Sequence, residues 1–406
     1  MVVAARSTLQ CVRGKVARMM VSRNYSGVLR ACCPGPSLEQ RFKDLNYRPA
    51  GFDYMRVALA LSVIFVHAGL ISYGTHAPAG KGPWAVLNVP RDCIVPLFFA
   101  LSGFLVAGSL DRSRTLFSFF GLRVLRIAPA LSVEVAISAF VVGPLLTTLP
   151  LGQYFSDPLF FSYLNNIIGD IHYRLPGLFE QNPIPLVNGQ LWTVPYELVC
   201  YVTLAAVAVA GLFKSRTGMV GLVALLYGAE ILNTLFRPNA DFHGVTGSIA
   251  VGAFIAGLVV YRFRDSLPWS LRLFAASVAA VALCVYAVPN GERFIALPVA
   301  YMSAYLGLLD PPRNRLISSG DYSYGIYLYG FPVQQMVCTL LPGYREWYFN
   351  LAFALPIIIA IAVFSWWVVE KPTLSLRSEL KRLEDRLLLW RGKAVVEAPL
   401  KKADGT

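Results

Sequence analysis

Charge is what this sequence has least of. Asp, Glu, Lys and Arg make up 15% of its 406 residues, against roughly 25% in soluble domains. Hydrophobic residues reach 56% and the mean hydropathy is +0.55, which excludes a soluble globular domain and points to a polytopic membrane protein. Histidine is scarce too. The four, His67, His76, His172 and His243, are too scattered to hold a metal. The seven cysteines (11, 32, 33, 93, 200, 284 and 338) show no paired spacing and no CxxC, so no disulfide framework or metal site is expected. The N-terminal stretch lacks the charged, apolar and small-residue succession of a cleaved signal. The first spanning helix is therefore expected to act as an uncleaved one. No internal repeat is seen. The net charge of +13 is no nucleic-acid signature, because the cations gather in the tails and alternate loops.

What is present is a series of apolar runs. They predict an all-α integral membrane protein of about ten transmembrane helices in one bundle, without a soluble domain. The expected spans are 53–73, 92–109, 127–149, 191–213, 217–236, 244–261, 271–288, 294–309, 322–341 and 348–369. With the N-terminus inside, the inner loops carry eleven Lys/Arg and the outer loops six. Positive-inside and an even number of spans agree, which places both termini in the cytoplasm. Residues 1–51 read as a basic cytoplasmic tail, partly amphipathic and lying on anionic lipid, with Met20 and Met55 as later in-frame starts. Residues 52–372 form the membrane domain. In the cytoplasmic tail from 373 to 406, Leu380, Leu383, Leu387 and Leu388 suggest a short amphipathic helix. The largest outer segment, residues 150–190, reads as a lid, an acceptor-binding wall or a connector.

The first span carries the chemistry of most interest. Arg56 and His67 are eleven residues apart, about 20° past three full helical turns, so they share a helix face with the imidazole roughly 16 Å deeper. An intramembrane histidine is costly and marks a functional site by default, although a hydrogen-bonded core histidine reads equally well. Arg123 and Arg126 lie i and i+3 at the cytosolic end of span three, where two guanidiniums can fork onto phosphate or simply anchor the topology. Ser102 and Gly103, in PLFFALSGFLVAG, offer a small-residue surface for a neighbouring backbone or a thin ligand. Glu197, in NGQLWTVPYELVCY, is a carboxyl within an apolar run and needs a partner, for which His67 or an arginine is the obvious class. Pro195 beside it is expected to kink the helix. Glu134 and Glu230 are further intramembrane carboxyls with less around them. Trp192, Tyr196 and Tyr327 are aromatic candidates for an acceptor wall, Tyr327 lying in the tyrosine-rich GDYSYGIYLYGFPVQQ.

Six pieces in order, FDYMRVALALSVIFVHA with its R-x10-H spacing, FFALSGFLV, RVLRIAPAL, LWTVPYELVCY, SYGIYLYGFPV and VEKP, resemble the acyltransferase-3 family of bacterial membrane proteins that O-acylate cell-surface carbohydrates. The likeness covers about residues 52–372. It implies that His67 is the catalytic histidine, Arg56 its essential companion, and Arg123 and Arg126 the acyl-CoA contact. It further implies a multi-pass protein of the bacterial inner membrane with acyl-CoA, by default acetyl-CoA, as donor. The LWTxPYE form of span four looks most like members that acetylate exopolysaccharide or lipopolysaccharide, so the acceptor would be a carbohydrate or lipid-linked glycan. One departure stands out: the family often shows a histidine where this chain has Gly330. The residues themselves point the same way. A cationic pair can hold CoA phosphates, neutral imidazole can take a hydroxyl proton, and Glu197 can orient it. No serine or cysteine stands out as an activated nucleophile, which favours direct transfer. The competing class is a proton-coupled multi-pass transporter, which also uses intramembrane His, Glu and Arg.

Overall fold

The computed structural model describes residues 32–74, 88–236 and 245–390. Among the described residues there is no β-strand, only an isolated bridge between Ser37 and Pro268. The expectations for residues 1–31, His76 and His243 lie outside this range. The chain forms two compact units: residues up to Val66 with Pro78–Gly108 and Tyr196–Asp321, and His67–Ala77 with Ser109–Pro195 and the chain from Tyr322.

Helices lie at all ten expected places. Six are long and apolar enough to cross a membrane: Gly51–Tyr73, Val89–Arg112, Leu116–Leu146, Gly189–Val209, Arg216–Thr234 and Trp347–Trp390. The other four fall short for two reasons. Gly247–Arg262, Leu271–Ala287 and Ala296–Gly307 have 16, 17 and 12 residues, and even the longest reaches only about 26 Å against a hydrocarbon layer of about 30 Å. Ser323–Leu340 has 18 residues, but Tyr324, Tyr327, Tyr329, Gln334 and Gln335 dilute its apolar character.

In the first unit the last part of the expected tail, from Ser37, packs against the protein. Helix α1 (Leu38–Asp44), capped by the Ser37 hydroxyl, buries Leu38 and Phe42. Glu39 pairs with Arg264, and the Arg41 guanidinium stacks 4.6 Å from the Trp269 ring centre. Burying two apolar side chains spaced one helical turn apart favours this docking over exposure to a polar surface. The first part of α2 (Gly51–Tyr73) and most of α3 (Asn88–Arg112) belong here.

In the second unit α4 (Leu116–Leu146) contains a π turn at Ser138–Val142. The turn has a local cause. Gly143 donates its N–H to Ser138, while Pro144 has none to give Ala139. The Tyr154 hydroxyl fills that place at 2.7 Å from the Ala139 carbonyl. The segment expected to be a lid or connector is thus folded. Helices α5 (Leu151–Ser156) and α6 (Pro158–Leu164) bury Tyr154, Phe160 and Tyr163. The unit also holds α12 (Ser323–Leu340), α13 (Trp347–Ser365) and the tail helix α14 (Arg377–Trp390). The expected tail helix is present, tied down by Arg114–Asp385 at 2.7 Å and Thr115–Glu384 at 2.5 Å. The remaining helices, α7 (Val194–Val209), α8 (Arg216–Phe236), α9 (Gly247–Arg262), α10 (Leu271–Ala287) and α11 (Ala296–Gly307), lie wholly or mainly in the first unit.

Candidate active site

Arg56 and His67 do lie on one helix, α2. In the first unit Arg56 Nη1 pairs with Asp321 at 3.2 Å and approaches Asp53 at 3.9 Å. Asp321 is missed by sequence reasoning, although it is the second residue of the tyrosine-rich stretch GDYSYGIYLYGFPVQQ. The pair fixes the guanidinium at the entry of α2.

Glu197 is half-buried near the start of α7 and its partner corrects the sequence expectation: the Tyr201 hydroxyl, one turn on, donates to it. Pro195 is the second residue of α7, where a missing N–H costs little, so it does not kink the helix interior. The irregular backbone is the 3₁₀ turn just before it, Gly189–Thr193. Tyr196 lies against Gly247, where a Cβ would come within 2.0 Å of its ring. At Gly103 a Cβ would sit 2.1 Å from the Phe254 carbonyl of α9. The close approach read from PLFFALSGFLVAG is therefore made by another helix, with Ser102 half-buried beside it. Glu230 is accounted for by Arg293 at 3.0 Å.

The second unit gathers the other candidates. His67 packs edge-on against Phe331 with ring centres 5.1 Å apart, and its Nδ1 is buried without a hydrogen-bond partner. Phe331 also covers Gly189, where a Cβ would lie 2.7 Å from the ring, so only glycine allows this packing. Asn188, next in the chain, donates from Nδ2 to Glu134 Oε1 at 2.6 Å and to the Tyr163 hydroxyl at 2.5 Å. Ser138 donates to the same Glu134 oxygen at 2.7 Å. Burial, reinforced by the Glu134 charge, pushes the Tyr163 hydroxyl well above the ordinary phenol range. The Tyr327 hydroxyl reaches the Gln190 carbonyl and the Thr193 hydroxyl, both at 2.6 Å, so it pins the turn that carries Trp192. Tyr324 and Tyr329 bond in the same way to the Ile127 carbonyl and Ser365. These hydroxyls tie α12 to its neighbours.

Arg123 and Arg126 sit on α4, Arg123 bonding Ser109 at 3.1 Å. Arg377 of the tail lies within reach of both their charges. Three guanidiniums in one neighbourhood favour an anion, and the third is invisible in sequence because 251 residues separate it from Arg126.

The profile of the acyltransferase domain, acyltransferase-3, matches residues 50–370. The chain belongs to the acyltransferase-3 family. An acyltransferase-3 protein with six apolar spans is a membrane acyltransferase, which replaces the transporter reading. Among its relatives is Nodulation protein 10 of Rhizobium leguminosarum bv. viciae, 28% identical over 372 residues, covering 85% of this chain and 98% of that protein. Another is an O-acetyl transferase of Shigella phage Sf6, 27% identical over 342 residues, covering 79% and 94%. No solved structure matches the chain significantly.

Proposed function

We propose that this acyltransferase moves an acetyl group from acetyl-CoA to a hydroxyl of a surface or exported carbohydrate, with His67 as general base. The observation that carries the reading is the His67 imidazole, a histidine on a membrane-spanning helix whose buried Nδ1 has no hydrogen-bond partner in the protein. In a single transfer step the acceptor hydroxyl gives its proton to the imidazole as its oxygen attacks the thioester carbonyl. The tetrahedral adduct then collapses, the C–S bond breaks, and the CoA thiolate takes the proton back from the imidazolium. Arg123, Arg126 and Arg377 hold the CoA phosphates by charge-assisted hydrogen bonds. Arg56, fixed by Asp321, supports His67 from the entry of the same helix. Trp192 and Tyr327, in the same unit as His67, belong to the acceptor side. The O-acetyl transferase relative supports the choice of acetyl and of an oxygen acceptor. The basic loop distribution supports an inner-membrane protein with both termini cytoplasmic.

The test compares the mass of surface glycan between the source strain and its deletion strain. An added acetyl mass that returns on complementation is the expected result. Identical glycans would refute the reading.

A further inference from the structure

Apart from Arg377, the tail helix α14 (Arg377–Trp390) takes no part in the reaction as described. One side of it packs against the start of α4. A Cβ on Gly121 would come within 2.7 Å of Leu380, the buried Glu384 meets Thr115, and Asp385 pairs with Arg114 at 2.7 Å. At about 100° per residue, Leu383, Leu387 and Trp390 fall within about 60° of one another, rotated roughly 70° from that packed side. They are 49%, 44% and 83% exposed. A stripe of large apolar side chains is thus left uncovered by the described residues. Arg386 and Arg382 flank it on the side away from α4, and Glu379, the one acid among them, is paired with Arg382 at 2.7 Å.

The neighbouring elements set the level of this stripe. Helix α14 ends the helical run Trp347–Trp390, which is long and apolar enough to cross a membrane. The run has 44 residues, more than double the roughly 20 that a crossing needs, so α14 lies past the hydrocarbon layer. Lys371 stands 3.6 Å over the Trp367 ring, a pairing of residue types that suits the boundary of lipid and water. Helix α14 begins six residues after that lysine, and its contacts with Arg114 and Thr115 bind it to a second spanning helix. We propose that α14 is an interfacial helix that binds anionic phospholipid, with Leu383, Leu387 and Trp390 among the acyl chains and Arg382 and Arg386 on the phosphates. The chemistry selects this partner. An apolar stripe with guanidiniums along its edge fits a surface that is apolar beneath and anionic above, and guanidinium forks onto phosphate oxygens. A second copy meeting the stripe about a two-fold axis would bring the same cations against each other.

The experiment uses the full chain in nanodiscs of equal parts phosphatidylcholine and phosphatidylglycerol, with photoreactive benzoylphenylalanine in place of Leu387. After irradiation, the mass of the adduct identifies what lies against the stripe. The expected adduct is phospholipid, with phosphatidylglycerol exceeding phosphatidylcholine at least threefold. Arg382→Gln combined with Arg386→Gln is expected to keep the lipid adduct and bring that ratio close to one. The same probe at Leu389, 64% exposed but about 160° around the helix from Leu387, should give less than a fifth of the yield. If the Leu387 substitution prevents folding, the probe at Leu383 puts the same question. Cross-linking to a second copy, a lipid yield no higher than at Leu389, or a lipid adduct without preference for phosphatidylglycerol would each overturn the proposal.

Discussion

Gln190 supplies the donor that Pro332 lacks. In a helix the N–H of residue 332 would bond the carbonyl of Leu328, but proline has none. The Gln190 Nε2 reaches that carbonyl at 2.7 Å, from the 3₁₀ turn that precedes α7. The proline in α12 is therefore the reason a side chain from another element can be anchored there. The same logic recurs in α4, where Pro144 leaves Ala139 to Tyr154. Two prolines each turn a helix backbone into a docking point.

This relationship predicts a coupling. Gln190→Leu should cost about 1–3 kcal/mol, the range for a buried carbonyl left unsatisfied. In a Pro332→Ala background the introduced alanine restores the N–H, and the cost of the same change should fall to less than half. Unfolding of the four proteins in detergent measures the cycle. Equal costs in both backgrounds would show that the glutamine does not replace the missing donor.

A second prediction concerns the π turn. Tyr154→Phe removes only the hydroxyl, so the Ala139 carbonyl loses its partner and stability should drop by about 1–3 kcal/mol. Gly143→Ala should be worse, because its Cβ would lie 1.8 Å from that same hydroxyl. Melting temperatures that fall in this order support the account. A neutral Gly143→Ala would contradict it.

The helices are legible because apolar run length is written in the sequence itself, and Arg56 and His67 share α2 as their spacing requires. The partner of Glu197 departs from expectation for a physical reason. An i,i+4 tyrosine satisfies a carboxylate locally, and Tyr201 stands at that spacing, whereas a carboxyl in an apolar run first suggests a charged partner. The docking of α1 has its signal too, in the i,i+4 pair Leu38 and Phe42. Other features have no sequence signal. Glu134 and Asn188 are 54 residues apart and meet only through folding. No periodicity or motif connects them. The Arg377 cluster is hidden in the same way, since a tail arginine looks like any solvated charge.

The arginine cluster makes a third prediction. Arg123→Ala combined with Arg126→Ala should raise the acetyl-CoA KM tenfold or more, because each charge-assisted contact is worth about 1.5–3 kcal/mol. Arg377→Ala should move the same constant in the same direction and leave the glycan KM unchanged. Steady-state transfer assays with each substrate varied in turn separate these effects. An unchanged donor KM in a well-expressed double variant would reduce the pair to topology anchors.

The last prediction is the loss of transfer in His67→Ala. The imidazole stands in an apolar setting against Phe331, and no protein donor or acceptor meets its Nδ1. A histidine kept only for packing would be easily replaced there by a residue with no polar atom to bury. Removing it should therefore cost the melting temperature little. A general base, by contrast, contributes typically 10²–10⁴-fold to rate. The expected result is a protein that inserts, melts near the wild-type temperature and binds acetyl-CoA, with transfer reduced at least a hundredfold. His67→Gln refines the question, since the amide preserves a polar head group but cannot carry the proton between hydroxyl and thiolate. It should be as inactive as alanine. Should either variant transfer at near wild-type rate, proton transfer would have to rest on another group, and Glu134 and Glu197 would be the next carboxyls to exchange.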